Sequence, residues 1–233
     1  ASAGSYTNVN AVVLPSTLKT INTNAFSKSK ITTINIPVGT DNILDGAFAQ
    51  IENLTAITVD AGNSKYTAED GVLYETKSGN KYLKAYPVAK AGTTFTVPDG
   101  VYGVSTNGFQ QAKNLTTVTL PASIQDLPTT KEANGFTSAT NLTAIKVDPA
   151  NTNFKDEDGV VLTKDGKTLV AYPFARHGVA DPHYNGSLPT MHLGEVYTIP
   201  ASVETIGKGA FSKAKEITAV KLNNVKKISE GAF

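Results

Sequence analysis

The order of the residues predicts an α/β solenoid: a right-handed superhelix of mostly short β-strands, with short helical turns and two inserted β-hairpins. Three observations carry this. A short strand motif recurs along the chain, an apolar signature follows each strand at fixed offsets, and one larger module occurs twice.

The strand motif is clearest in Leu115-Thr116-Thr117-Val118-Thr119-Leu120-Pro121. It returns as Ile31-Thr32-Thr33-Ile34-Asn35-Ile36-Pro37, and as Leu54 to Val59, Leu142 to Val147 and Ile217 to Leu222. Versions without the threonine pair run from Val9 to Pro15 and precede Pro98 and Pro200. Alternating apolar residues mark a strand with one buried face, and Ile, Val and Thr suit the extended backbone. Proline then ends the strand where a missing N–H does no harm.

Three residues beyond the proline come Leu18, Val101, Ile124 and Val203, and six beyond come Ile21, Ile43, Val104, Leu127 and Ile206. Eleven beyond stands Phe26, Phe48, Phe109 or Phe211, each preceded by Ala or Gly, a turn predicted to close as one helical turn with its ring inward. Phe136 arrives late, after an apparent insertion of Lys131 to Asn134, and Phe233 closes the last unit. The central strand residues stand at 12, 34, 57, 95, 118, 145, 197 and 220, with gaps of 22, 23, 38, 23, 27, 52 and 23. A base period near 23 with two enlarged intervals predicts about eight stacked coils.

The enlarged intervals match each other. Glu69-Asp70-Gly71-Val72 returns as Glu157-Asp158-Gly159-Val160 after 88 residues, and Ala85-Tyr86-Pro87 as Ala171-Tyr172-Pro173 after 86. Each copy predicts a β-hairpin insertion, near 66–87 and 154–173, and the second adds an extra loop over 176–195. The expected organisation is an N-terminal tail over 1–8 and one repeat domain over 9–233. No unit buries its apolar face alone, so stacking builds the core and a parallel sheet along one side.

These residues resemble a leucine-rich repeat of the BspA-like bacterial class, which reads Leu-Thr-x-Ile-x-Leu-Pro, then Val-x-x-Ile-x-x-x-Ala-Phe, then Cys-x-x-Leu. The hairpin followed by Ala-Tyr-Pro also resembles segments found between such repeats. One departure is the buried cysteine of that class: Ser29, Ile51, Ala112, Ala139 and Ala214 stand near its place, and the chain has no cysteine. A small apolar filler there keeps the fold. The resemblance implies a non-enzymatic bacterial binding module, secreted or on the cell surface, that adheres to host matrix proteins, glycans or other cells. The alternatives are a structural spacer within a larger surface protein and, more remotely, a carbohydrate-active enzyme.

Composition agrees. With 21 Lys+Arg against 20 Asp+Glu, net +1, and Arg176 the sole arginine, no nucleic-acid partner is expected. No apolar run exceeds about four residues, so no membrane insertion is expected. Charge is uneven, with residues 41 to 75 acidic and 204 to 230 basic.

The side chains expected on the open, concave strand face include Thr33, Asn35, Ala56, Thr58, Thr117, Thr119, Ala144, Lys146, Ala219 and Lys221. Of these Thr33, Asn35, Thr58, Thr117, Thr119, Lys146 and Lys221 form the predicted contact surface for a protein or glycan. His177, His183 and His192, with Asp181, match no metal motif and read as a solvated insertion. Glu69-Asp70 and Glu157-Asp158 have the look of paired glycosidase carboxylates, but duplication beside glycine favours turn chemistry. Calcium is a weaker reading of Asp60, Asn63 and Asp70, or Asp148, Asn151 and Asp158. No catalytic residue, metal or cofactor is expected. Asn-Leu-Thr at Asn53, Asn114 and Asn141 spells glycosylation acceptors only because the repeat demands those residues.

Overall fold

The computed structural model describes residues 8–128, 134–177, 179–180, 195–214 and 216–233. Successive coils pair through two parallel ladders. The first holds the predicted strand motif: Thr33–Ile36 beside Ala56–Val59, then Thr94–Thr96 beside Thr117–Leu120 beside Ala144–Val147, then Glu195–Thr198 beside Ala219–Lys221. Residue partners are 23 to 27 positions apart, as in Ile34 with Ile57 and Val118 with Ile145, so the period in the sequence is the inter-coil register. The segment from Val9 to Leu14, predicted as the first strand, joins no ladder. Its Val9 carbonyl still accepts the Lys30 N–H at 2.7 Å, and Val13 is 95% exposed.

A second ladder uses the residues six beyond each proline: Thr20–Ile21 with Asn42–Ile43, Asn80–Ala85 with Val101–Val104, and Thr168–Ala171 with Thr205–Ile206 and Lys227–Ile228. Sheet therefore lies along two sides of the coils, not one.

The phenylalanine turns are not helical. Among the described residues there is no α-helix; the turns are built from separate i→i+3 bonds, three each at Phe26, Phe109 and Phe211. Ala25 N–H reaches the Asn22 carbonyl and Ser27 N–H the Asn24 carbonyl, both at 3.1 Å. The third residue of such turns lies in the left-handed region, as at Asn24 (φ 57°), Lys28 (63°), Gln50 (61°), Gln111 (60°) and Lys213 (57°). A left-handed residue within each of these turns stops a right-handed helix from propagating.

The rings themselves stack. Phe26 and Phe48 are 6.2 Å apart and 8° from parallel, Phe109 and Phe136 5.3 Å and 9°, Phe211 and Phe233 5.0 Å and 6°. Tyr86 and Tyr172 of the Ala-Tyr-Pro segments take the ring position in the inserted coils, 5.5 Å from Phe109 and 5.0 Å from Phe211. Late Phe136 is thus in register. Of the positions aligned with the missing cysteine, Ser29, Ile51, Ala112 and Ala139 are buried.

Each insertion is a three-stranded unit, Tyr66–Glu69, Val72–Lys77 and Asn80–Ala85, repeated as Phe154–Glu157, Val160–Thr163 and Thr168–Ala171. Its middle strand is a partition. Val72, Leu73 and Tyr74 are all buried, yet Leu73 joins the core built around Ile21 to Tyr66, while Val72 and Tyr74 join the next. Val161 and its neighbours Val160 and Leu162 divide the following two cores in the same way. Alternate side chains of a strand face opposite ways, so three consecutive apolar residues serve two cores.

Asn63 and Asn151, again 88 apart, clamp the module to the preceding coil. Asn151 is fully buried; its amide donates to Pro121 O (3.0 Å) and Ile124 O (2.8 Å), and its Oδ1 accepts from Asn153 N and Phe154 N at 2.8 Å. Asn63 repeats all four contacts with Pro37, Thr40, Lys65 and Tyr66.

Three outcomes are expected. Phe109→Ala, at a fully buried ring packed on both neighbours, lowers unfolding free energy by about 3–5 kcal/mol, and Phe26→Ala, at a half-buried ring, by less; urea melts of both check this. Asn151→Ala strands buried backbone groups and costs about 2–4 kcal/mol in the same assay. Burial pushes the Tyr66 and Tyr86 hydroxyls up to about 12, with nearby carboxylates adding to the rise. Both states are protonated below pH 10, so this contribution is complete there and is lost as pH climbs from 10 towards 12. Tyrosinate absorbance at 295 nm should then rise together with the loss of strand circular dichroism; ionisation of the buried tyrosines with the fold intact contradicts it.

Candidate functional site

The first ladder presents the predicted surface residues in three separate patches. Thr33, Asn35 and Thr58 come together, with Asn35 paired to Thr58 across the strands. Thr117, Thr119 and Lys146 form a second patch, with Thr119 opposite Lys146 and Thr96. Lys221 lies apart from both, beside Thr198. Asn35, Thr58, Lys146 and Lys221 are exposed, and Thr117 and Thr119 half-buried.

The patches are separated by the insertions. The Asp70-Gly71 turn lies on the outer edge of Ala56–Val59, where the Gly71 carbonyl accepts the Ile57 N–H at 2.8 Å; Gly159 does the same for Ile145 at 2.9 Å. Both glycines have positive φ, and a Cβ on Gly71 or Gly159 would stand 2.9 or 2.8 Å from the Cβ of Ala56 or Ala144. Ala56 and Ala144 are therefore seats for these turns rather than open contact positions. With Asp70 and Asp158 also at positive φ, these are the tight two-residue turns of β-hairpins.

Much of the polar surface is engaged internally. Asn35 Nδ2 donates to Asp60 Oδ1 at 2.7 Å, and Thr58 Oγ1 donates to Asn35 Oδ1 at 2.9 Å. Thr55, Thr116 and Thr143 donate to carbonyls of Thr32, Thr93 and Thr116 in the coil before, at 2.9–3.1 Å. Asn114 and Asn141 likewise reach back to Lys90 O and Lys113 O. The Asn-Leu-Thr motif is inter-coil hydrogen bonding, which a single repeat read alone does not reveal. Lys146 lies 3.2 Å from Asp156 of the hairpin.

Each acidic pair is the last residue of a strand and the first of its turn, tied to bases: Glu69 to Lys81, Asp70 to Lys90 at 2.9 Å, Glu157 to Lys155 at 2.9 Å, and Asp158 to Arg176. Asp70 and Asp158 are 83% and 87% exposed at the side chain, which removes the best support for a glycosidase reading. Arg176, 86 residues after Lys90, repeats its contact and so belongs to the duplicated module. Asn63 and Asn151 have their amide oxygens on backbone N–H groups, leaving little for a cation. Among the described residues no three His, Asp or Glu side chains gather as a metal site. His177 is exposed, while His183, His192 and Asp181 lie outside the described residues.

Sequence reasoning missed two features. Asn134, read as part of an insertion, is buried and donates to Gly209 O (3.2 Å) and Ala210 O (3.4 Å), linking two phenylalanine turns across the second module. Its signal is only an asparagine two residues before Phe136. The other is an acid–base cluster in which Lys84, 9% exposed, lies 2.7 Å from Asp45 and 3.4 Å from Glu75, which also meets Lys65 at 3.4 Å. It joins residues of two coils, and linear charge counting shows only an acidic stretch.

The sequence pattern described as "BspA type Leucine rich repeat region" matches in six copies, over residues 3–80, 85–157 and 193–233. A leucine rich cell surface protein from Faecalibacterium prausnitzii is 24% identical with a TM-score of 0.55, over 89% of this chain and 52% of that one. A leucine-rich repeat protein from Eubacterium ventriosum is 22% identical (TM-score 0.48; 92% of this chain, 61% of that one). The pneumococcal vaccine antigen PcpA is 21% identical (TM-score 0.47; 91% and 38%). At such identities the likeness concerns the fold, and the chain spans about half the length of the Faecalibacterium protein. The search of curated proteins finds no match. Six matched copies over most of the chain, laid down as stacked coils, make this protein a member of the BspA-type leucine-rich-repeat family.

Proposed function

We propose that the chain is a non-enzymatic binding segment of a bacterial cell-surface or secreted protein, adhering to proteins or glycans of host or neighbouring cells. The observation that carries this reading is the six-copy family match on a frame whose exposed strand positions line up from coil to coil, 23 or 27 residues apart. Rigid coils present such positions without the entropy cost of ordering loops, and several weak contacts add to one selective attachment. The similar fold of a protein described as a cell surface protein supports the location. Among the described residues no helix is long and apolar enough to cross a membrane.

A second reading, a rigid spacer, draws on a different observation: Asn35, Thr58 and Asp60 hydrogen-bond one another on the exposed face, leaving fewer groups for a partner.

Immobilised matrix proteins, mucin and whole cells, probed with the purified chain, separate the two. Under the binding reading at least one surface retains the chain, and Lys146→Glu with Lys221→Glu reduces retention severalfold while circular dichroism at the assay temperature shows the fold intact. Retention unaffected by the double change shows that the strand face is not the contact surface. No retention on any surface favours the spacer.

A further inference from the structure

The second ladder is interrupted between Asn42–Ile43 and Asn80–Ala85, and there the coils part around a groove of about 430 Å³. That size lies within the usual range of small-molecule sites, roughly 300–1,000 Å³. Leu44 and Asp45 form one wall, Glu75, Tyr82 and Lys84 the hairpin side, and Asp126 the far end.

The lining is held in place before any ligand arrives. The Lys84 side chain is nine-tenths buried and fixed between Asp45 and Glu75 at 2.7 and 3.4 Å. The Tyr82 ring rests on Gly103, where a Cβ would come within 2.7 Å of it, and sits 5.6 Å from the Tyr102 ring. Burial, with the Asp126 carboxylate nearby, holds its hydroxyl above the ordinary phenol range. Leu44 adds an aliphatic surface that is 40% exposed.

Chemistry narrows the occupant. An anion would meet three carboxylates, and a cation would meet Lys84 and the ammonium of Lys77, which stands 5.8 Å from the centre of the Tyr82 ring. An extended peptide adding as a strand needs a free backbone edge, but the Ile43 N–H already donates to the Tyr66 hydroxyl at 2.8 Å. A neutral sugar suits the mixture, because its C–H face packs on an aromatic ring and its hydroxyls both donate and accept.

We propose that this groove binds a neutral oligosaccharide, with the Tyr82 ring as the stacking platform once the exposed Lys77 side chain over it swings aside, and with Asp45 and Asp126 as hydroxyl acceptors. The proposal rests on the binding reading above and names a ligand class and a place for it.

The purified chain, titrated with maltotriose, mannotriose and tri-N-acetylchitotriose by NMR and calorimetry, tests it, with tetralysine as the cationic control. At least one trisaccharide should bind, with saturation transfer to its C–H protons. Tyr82→Ala should weaken that binding at least tenfold, and Lys30→Glu, at an exposed side chain away from both surfaces, should leave it unchanged. Should Tyr82→Ala melt early, Asp126→Ala, at an exposed side chain, replaces it with the same expectation. Absence of binding by all three sugars, sugar binding that survives both changes, or selective binding of tetralysine overturns the proposal. Cell or matrix retention that persists in Tyr82→Ala while Lys146→Glu with Lys221→Glu abolishes it removes the groove from adhesion and leaves the strand-face reading standing.

Discussion

Everything in this molecule depends on each coil meeting the backbone groups and apolar side chains that its neighbour leaves open. A strand pair between coils is two to four residues long, too short to persist alone. It holds because three devices repeat at one spacing: ladder hydrogen bonds, threonine and asparagine side chains reaching back one coil, and aromatic rings stacked at 5.0–6.2 Å. A residue added or removed without compensation would take all three out of step together, since a one-residue slip in a strand turns its buried face outward.

The duplicated module shows how such a stack tolerates insertion. The hairpin does not bulge outward from an intact solenoid. Its first turn plugs the edge of one ladder strand, its middle strand divides two cores, and its last strand starts a new segment of the second ladder. The buried asparagines 63 and 151 fasten the insert to the coil before it, and tyrosines 86 and 172 return the ring stack to register. These devices occur twice, which marks them as parts of the module rather than local accidents.

Partition also shapes the surface. A ladder broken twice offers patches in place of one continuous face, so contact positions that look equivalent along the chain fall in different settings. Thr119 and Lys146 are neighbours, Lys146 is tethered to a hairpin carboxylate, and Lys221 belongs to another patch. The break in the second ladder opens the groove around Tyr82, a feature that an unbroken stack would lack.

Spacing alone determined the stacked coils, the parallel register, the inward phenylalanines and the two hairpins, because each follows from a local pattern that repeats. Residue identity was enough for the turns at Asp70-Gly71 and Asp158-Gly159 as well. The tertiary structure decided what depends on separate coils meeting. It gave the phenylalanine turns left-handed residues instead of a helix, set a second ladder beside the first, and left the segment from Val9 to Leu14 outside both ladders. It also covered Ala56 and Ala144 with glycine turns, buried Asn134, and assembled Lys84, Asp45 and Glu75 into one cluster. The reason is the same in each case: a sequence period says which residues are equivalent, but an insertion makes equivalent residues face different neighbours, and only those neighbours determine whether a side chain is free to bind.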